Sequence, residues 1–291
     1  MIRIHNPFNA EENSSDGSLK KTLLGASLLT ALVSMTSIAQ ATTVQFQTVM
    51  GDFEVNLFDK ATPETVKNFL AYVNAEAYTE SIVHRSVPGF IVQGGGFTYS
   101  GKLPLNAVEQ LKTVVNEPVF SNRRGTIAMA KIGGNPNSAT SQWFFNLTDN
   151  SAKLDNQNGG FTVFGQVTGN GMAIIDAMAA LKRFNKGGAT NEIPLRNYTL
   201  EDHTGSVTVT DDHLVMIQSV VVLDASPDTA DGLNPVKNTL AGTGGNPNNP
   251  GNPGNSGGSG GGGSMNLLAI LGFGMLALMR GLILRRKSHS A

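Results

Sequence analysis

His84-Arg85-Ser86-Val87-Pro88-Gly89-Phe90-Ile91-Val92-Gln93-Gly94-Gly95-Gly96-Phe97 carries two short strand candidates, Ile82–Val87 and Phe90–Gln93, on either side of Pro88-Gly89. Successive side chains of a strand face opposite ways, so Arg85 and His84 lie on different faces. About thirty residues further on, Arg124-Gly125-Thr126-Ile127-Ala128-Met129-Ala130 leads towards Ser141-Gln142-Trp143-Phe144-Phe145. These give strands over Gly125–Lys131 and Ser141–Leu147, and Phe161-Thr162-Val163-Phe164-Gly165-Gln166-Val167 gives another.

On the N-terminal side, Val44, Phe46 and Thr48 alternate with Gln45 and Gln47. Met50-Gly51-Asp52 then turns, and Phe53, Val55 and Leu57 alternate with Glu54 and Asn56, predicting a hairpin with one buried face. Thr62-Pro63-Glu64 opens a helix with an N-cap and a proline in its first turn, and Val66, Phe69, Leu70 and Val73 form its apolar stripe. A second helix is predicted over Met172–Leu181 and a last strand over Leu214–Leu223. Strands dominate and do not alternate with helices as βαβ units. The expected fold is therefore mainly β, a closed antiparallel barrel capped by two α-helices, since closure removes exposed sheet edges.

The chain has 291 residues, a formal net charge of −1 and no cysteine. It can form no disulfide framework, thiol nucleophile or Cys-ligated metal centre. Residues 1–41 predict a leader and signal peptide: Lys20-Lys21, the apolar run Thr22–Ile38, then Ala39-Gln40-Ala41 before Thr42. The alternative, a core helix, lacks a polar face for solvent. Residues 42–232 are expected to form the folded domain, and 233–264 a linker rich in Gly, Asn, Pro and Ser. Residues 265–291 hold the apolar stretch Met265–Leu284 followed by Arg285-Arg286-Lys287, long enough to span a bilayer with the basic end on the cytoplasmic side. Between Thr42 and Ser264 the net charge is −5 with no basic stripe, which argues against a nucleic-acid partner.

The blocks His84–Phe97, Arg124–Phe145 and Phe161–Val167 resemble the signature segments of the cyclophilin peptidyl-prolyl isomerases. The likeness runs from about Val44 to Asp224 and is nearest the bacterial periplasmic branch. It implies an eight-stranded barrel and catalysis of X–Pro rotation in proline-containing polypeptides. The tail from Ser259-Gly-Gly-Gly-Gly-Ser264 onward is similar to the GlyGly-CTERM sorting signals of Gram-negative bacteria, which implies a rhomboid-type sorting protease as a partner. The alternative is a plain C-terminal membrane anchor. With the signal peptide, these features predict export across the inner membrane to the periplasm, cell envelope or surface.

Rotation about an X–Pro bond loses amide resonance behind a barrier of roughly 18–20 kcal/mol, and no bond breaks. Such a catalyst needs no nucleophile, metal or cofactor. It needs an apolar slot for the proline ring and fixed donors that favour the twisted state. Arg85, with a rigid and permanently charged fork, is the candidate donor. In the family the matching arginine is the main catalytic group, engaging the prolyl nitrogen. Gln93 and Gln142 each offer a donor and an acceptor for the substrate backbone. The resemblance further implies that Phe90, Ile91, Met129, Phe144 and Leu154 line or support the proline slot, with Phe90 and Gln93 beside Arg85 in the catalytic group. It also implies that Ala130 borders the groove and that Gly94 and Gly95 let the chain pass close behind it.

Several positions depart from the family pattern. Gly96 stands where Asp is common, Lys131 replaces a groove-lining Asn, and Ile132–Ser138 is lengthened. Phe161 occupies the place of a pocket histidine. Lys153 aligns with the Trp, or periplasmic Phe, associated with cyclosporin binding, so weak cyclosporin binding is expected. The five histidines are expected to form no metal site: His203 and His213 sit among Asp202, Asp211 and Asp212, which reads as a solvated loop, the alternative being a weak cation site. The stretch Lys182–Thr210 predicts an extra hairpin against the barrel, with no functional assignment.

Overall fold

The computed structural model describes residues 42–225 and 232–241. The leader, most of the linker and the apolar stretch 265–284 lie outside the described residues. Among the described residues no helix is long and apolar enough to cross a membrane.

The expected hairpin is present as Thr43–Thr48 and Phe53–Leu57, in register Val44 to Val55 and Phe46 to Phe53. Gly51 takes φ +115 in the turn, where a side chain would be strained. The segment 81–87 is hydrogen-bonded on two sides. Ser81–Ile82 pairs with Met216 and Ile217, while Arg85–Val87 pairs with Ile91–Gln93. Between them Val83 N donates to Val215 O at 3.0 Å and His84 N to Gln93 O at 3.2 Å. From Ile91–Gly94 the antiparallel ladder continues through Trp143–Asn146, Thr126–Met129, Val163–Val167, Phe53–Leu57 and Thr43–Thr48 to Met216–Asp224. The pairings leave segment 81–87 and return to it, consistent with the eight-stranded antiparallel barrel expected.

The first long helix is Pro63–Asn74 and buries Val66, Phe69, Tyr72 and Val73. Thr62 holds the N-cap position but its hydroxyl donates back to Phe58 O. The orphan amides at this helix start are met instead by Glu117, whose carboxylate accepts from Glu64 N at 3.4 Å and Thr65 N at 2.9 Å. The second long helix is Gly171–Ala180, with Ile175 and Met178 buried.

Period-two alternation divides the strands between two cores. Val92, Ile127, Met129, Trp143 and Phe145 face into the barrel, where Phe46 stacks on Phe53 and meets Trp143 and Phe145 edge-on. Ile91, Ala128, Ala130 and Phe144 face the other way. They join Phe58, Phe120, Leu154, Phe161 and Val163 in a second cluster outside the barrel. A third cluster is built on the predicted extra hairpin, observed as Lys182–Phe184 paired with Ile193–Leu195. There Phe184, Ile193, Leu195 and Tyr198 pack on Ile82 and Leu214.

Residues 233–238 make contacts with the domain. Lys237 bridges to Phe120, Ser121 N donates to Val236 O at 2.8 Å, and Asn238 N donates to Val119 O at 3.0 Å. Leu233 packs against the second cluster. This Asn-Pro segment of loop-like composition thus supplies one apolar anchor and an isolated β-bridge to the domain.

Candidate active site

The second cluster forms an apolar floor, and one edge of it is polar. Strand register sets Gln93 opposite both Arg85 and Phe144, which brings the fork and the floor together. Arg85 Nη1 donates to Gln93 Oε1 at 3.1 Å, and Gln93 Nε2 donates to Gln142 Oε1 at 2.8 Å. Arg85 Nε donates to Glu192 Oε2 at 3.0 Å. Arg85 and Gln93 are buried, Gln142 only partly so.

The loop after Trp143–Asn146 supplies the far wall. Phe161 N donates to Leu154 O at 2.9 Å, so these two slot residues are tied through their backbones. Phe161 meets Phe144 edge-on with ring centroids 5.8 Å apart. Below the loop, the buried Asp155 carboxylate accepts from Ser121 Oγ, Asn122 N and Asn122 Nδ2, and Asn122 Nδ2 also donates to Phe161 O. Phe90, half-buried at the rim, has its carbonyl fixed by Leu147 N and Asn150 Nδ2. Satisfied buried amides of this kind give a rigid wall rather than an adaptable one.

Of the residues expected in the slot, Ile91, Ala130, Phe144, Leu154 and Phe161 come together, with Phe90 packed against them. Met129 does not. Its strand neighbours Ala128 and Ala130 take the outer face, which turns Met129 into the barrel core. Lys131 is buried, and its ammonium donates to Asn116 Oδ1, Asn158 O and Gly160 O, 4.8 Å from the Phe161 ring centre. It braces the wall from behind instead of lining an open groove. At Gly94 and Gly95 the chain passes close to Trp143 and its strand: a Cβ on Gly94 would fall 2.6 Å from the Trp143 ring, and one on Gly95 2.6 Å from Ser141 O.

Burial lowers the Arg85 pKa and the Glu192 carboxylate raises it, leaving a guanidinium that stays charged. His84, fully enclosed and next to that charge, is pushed down to about 3 by burial first and Arg85 second, so it is neutral. Burial pushes the Lys131 amine down to about 7. Among the described residues no three His, Asp or Glu side chains are grouped to hold a metal ion. The site combines a closely packed apolar cluster, with Phe90 partly exposed at its rim, and fixed donors along one edge. Sequence reasoning missed Glu192, Asn122 and Asn150, since none stands in a motif. Only proximity in the fold reveals them.

The family model described as cyclophilin type peptidyl-prolyl cis-trans isomerase matches residues 43–202. A peptidyl-prolyl cis-trans isomerase of Acinetobacter baylyi is 38% identical over 149 residues, 51% of this chain and 77% of that protein. Peptidyl-prolyl cis-trans isomerase B of Escherichia coli is 36% identical over 167 residues, 56% of this chain and 99% of that protein. A crystal structure of a Cryptosporidium parvum cyclophilin type isomerase overlaps 63% of this chain and 98% of that chain, with TM-score 0.44 and 22% identity. With matches over this length falling on the very strands that carry Arg85, Gln93 and Phe144, the chain belongs to the cyclophilin-type peptidyl-prolyl cis-trans isomerase family.

Proposed function

We propose that this protein accelerates X–Pro rotation in exported polypeptides, without covalent chemistry, and that Arg85 is its main catalytic donor. The observation that carries this reading is the Arg85–Gln93 pair, joined at 3.1 Å on the strand register that also sets Phe144 beside Gln93. A proline ring seated at the edge of the cluster of Ile91, Phe144, Leu154 and Phe161 would bring its amide nitrogen towards the guanidinium, because Gln93 bonds Arg85 and stands opposite Phe144. As the amide twists, that nitrogen loses conjugation and gains a lone pair, which a hydrogen bond from Arg85 stabilises only in the twisted state. Gln93 and Gln142 hold the adjoining backbone, and Phe90 closes the rim.

The compartment is part of the same proposal. Lys20-Lys21, the apolar run and Ala39-Gln40-Ala41 support export, with clients in the periplasm or at the cell surface of a Gram-negative bacterium. Met265–Leu284 and the basic end support a transient or lasting membrane attachment, processed by a rhomboid-type protease.

Protease-free cis–trans exchange of an Ala-Pro-Phe peptide, followed by NMR with the full chain and its Arg85→Ala variant, tests the chemistry. The expected result is accelerated exchange that falls by two or more orders of magnitude in the variant, roughly the scale of a positioned transition-state donor. Absence of acceleration by the folded wild type sinks the enzymatic reading and leaves a binding module for proline-containing segments.

A further inference from the structure

Arg85 is held at two points, and only one belongs to its own sheet. Its Nη1 is fixed by Gln93, two strands of the barrel meeting in register. Its Nε is fixed by Glu192 at 3.0 Å, and Glu192 comes from the hairpin outside the barrel. The main chain that carries this carboxylate is anchored beside Arg85: the Glu192 backbone carbonyl accepts from the N–H of Ser86, the residue after Arg85, at 2.9 Å. The hairpin behind it is pinned by Phe184 meeting Tyr198 edge-on at 5.0 Å. Arg85 has 5% of its side chain exposed and Glu192 31%, with Arg183 Nη1 a further 4.0 Å from the other carboxylate oxygen.

A guanidinium bonded at Nε and at one Nη cannot turn about its last bonds, and its remaining donors point where the frame directs them. Here Nη2 makes no hydrogen bond among the described residues and is not fully enclosed. A lone bond to Gln93 would leave the fork able to pivot, and would leave a nearly buried charge without a counter-charge.

We propose that Glu192 is a positioning residue: it locks the plane of the Arg85 fork so that Nη2 is presented to the substrate. This rests on the reading of Arg85 as the catalytic donor. The substrate-facing geometry is thus set from outside the barrel, by the hairpin Lys182–Leu195.

The test compares Glu192→Gln, which keeps an acceptor for Nε, with Glu192→Met, which fills similar volume without one. Each is made in the full chain, with Arg85→Ala and Arg85→Lys alongside. Exchange of the Ala-Pro-Phe peptide is measured across peptide concentrations, and the Arg85 Nε–Hε NMR signal is assigned by its loss in Arg85→Lys. The expected result is a kcat reduced about tenfold or more in Glu192→Met with KM within about twofold, and rescue to within about threefold in Glu192→Gln, as follows when a donor to the transition state is misoriented. The slowly exchanging Nε–Hε signal persists in Glu192→Gln and disappears in Glu192→Met. A wild-type kcat in Glu192→Met, or an unchanged Nε–Hε signal there, overturns the proposal. So does a Tm loss matched by equal activity loss in both variants, the sign of mere hairpin docking. If Glu192→Met does not fold, failure of Glu192→Gln to keep the signal and the rate overturns it equally. If Arg85→Ala keeps the rate, the reading of Arg85 itself has failed.

Discussion

Gln142 is pressed against Gly96 while it accepts from Gln93 Nε2 at 2.8 Å: a Cβ on Gly96 would fall 2.7 Å from Gln142 Cδ and 2.8 Å from its Cγ. The absence of a side chain at 96 is therefore what lets Gln142 complete the row from Arg85 through Gln93.

Gly96→Ala is expected to displace Gln142 and weaken that row. The clash involves Cγ and Cδ rather than only the amide tip, so rotation about the last bond does not relieve it. Exchange catalysis should fall about three- to tenfold, the loss of one neutral hydrogen bond, with Tm changed by only a few degrees. The same loss in Gln142→Leu, and no further loss in the double variant, checks that both act through one interaction.

Most of the fold and the outline of the site are legible in the sequence because they rest on alternation and local turn chemistry. The two long helices, the strand faces and the residues of segment 84–97 all follow from spacing within a few positions. Met129 departs from the slot position that the family resemblance implies, because the cross-strand partners Ala128–Phe144 and Ile127–Phe145 set its strand so that Met129 faces the barrel. Lys131 reads as a groove residue because it stands where the family pattern has a groove-lining Asn, whereas three loop oxygens hold it inside. Glu192 and Glu117 act across 107 and 52 residues of chain, distances at which no sequence pattern links a carboxylate to its partner.

His84 predicts acid lability. Its folded value is about 3, against the ordinary 6.5, so between these pH values the unfolded chain binds a proton that the folded chain refuses. The stability it contributes is complete above pH 6.5 and is lost as pH falls towards 3. Between pH 6.5 and 4.5 the loss from this residue is on the order of 2–3 kcal/mol. Urea denaturation at pH 7 and 4.5 measures it. His84→Phe, whose ring can keep the edge-on packing with Phe97, should flatten the difference; an unchanged pH slope would contradict the assignment.

Lys131 predicts a rise at the other end of the scale. Its amine is held near 7 by burial, below the ordinary 10.5, so the unfolded chain binds more protons between these values and stability grows with pH across them. Denaturation midpoints at pH 7 and 9 should differ in favour of pH 9 in the wild type and converge in Lys131→Met. Equal slopes in both proteins would place the titration elsewhere.

The segment 232–241 should behave as part of the domain. Truncation after Gly232 exposes Phe120 on one side, removes Leu233 from the slot cluster and leaves Asp155 O without Asn238 Nδ2. A loss of about 2–4 kcal/mol is expected from one apolar side chain and an isolated β-bridge, read by comparing chains ending at residues 232 and 241. Since Asp155 and Leu154 share the slot loop, the shorter chain should also show a raised KM. Equal stability would place the boundary at Gly232.

Lys153 is expected to weaken the response to cyclosporin. It is exposed beside the slot wall, with its ammonium 5.7 Å from the centre of the Phe90 ring. A charged, strongly hydrated head there offers no flat apolar face and no indole N–H, so a large apolar ligand resting on this rim would have to desolvate the ammonium. Weak inhibition is expected, in the micromolar range or above, the scale of roughly −8 kcal/mol or less favourable binding. Lys153→Trp should tighten inhibition about tenfold or more while leaving peptide exchange within about threefold, because Leu154 and Phe161 keep their backbone tie. Titration of both proteins during exchange decides it: nanomolar inhibition of the wild type would show that the rim at Lys153 does not govern binding.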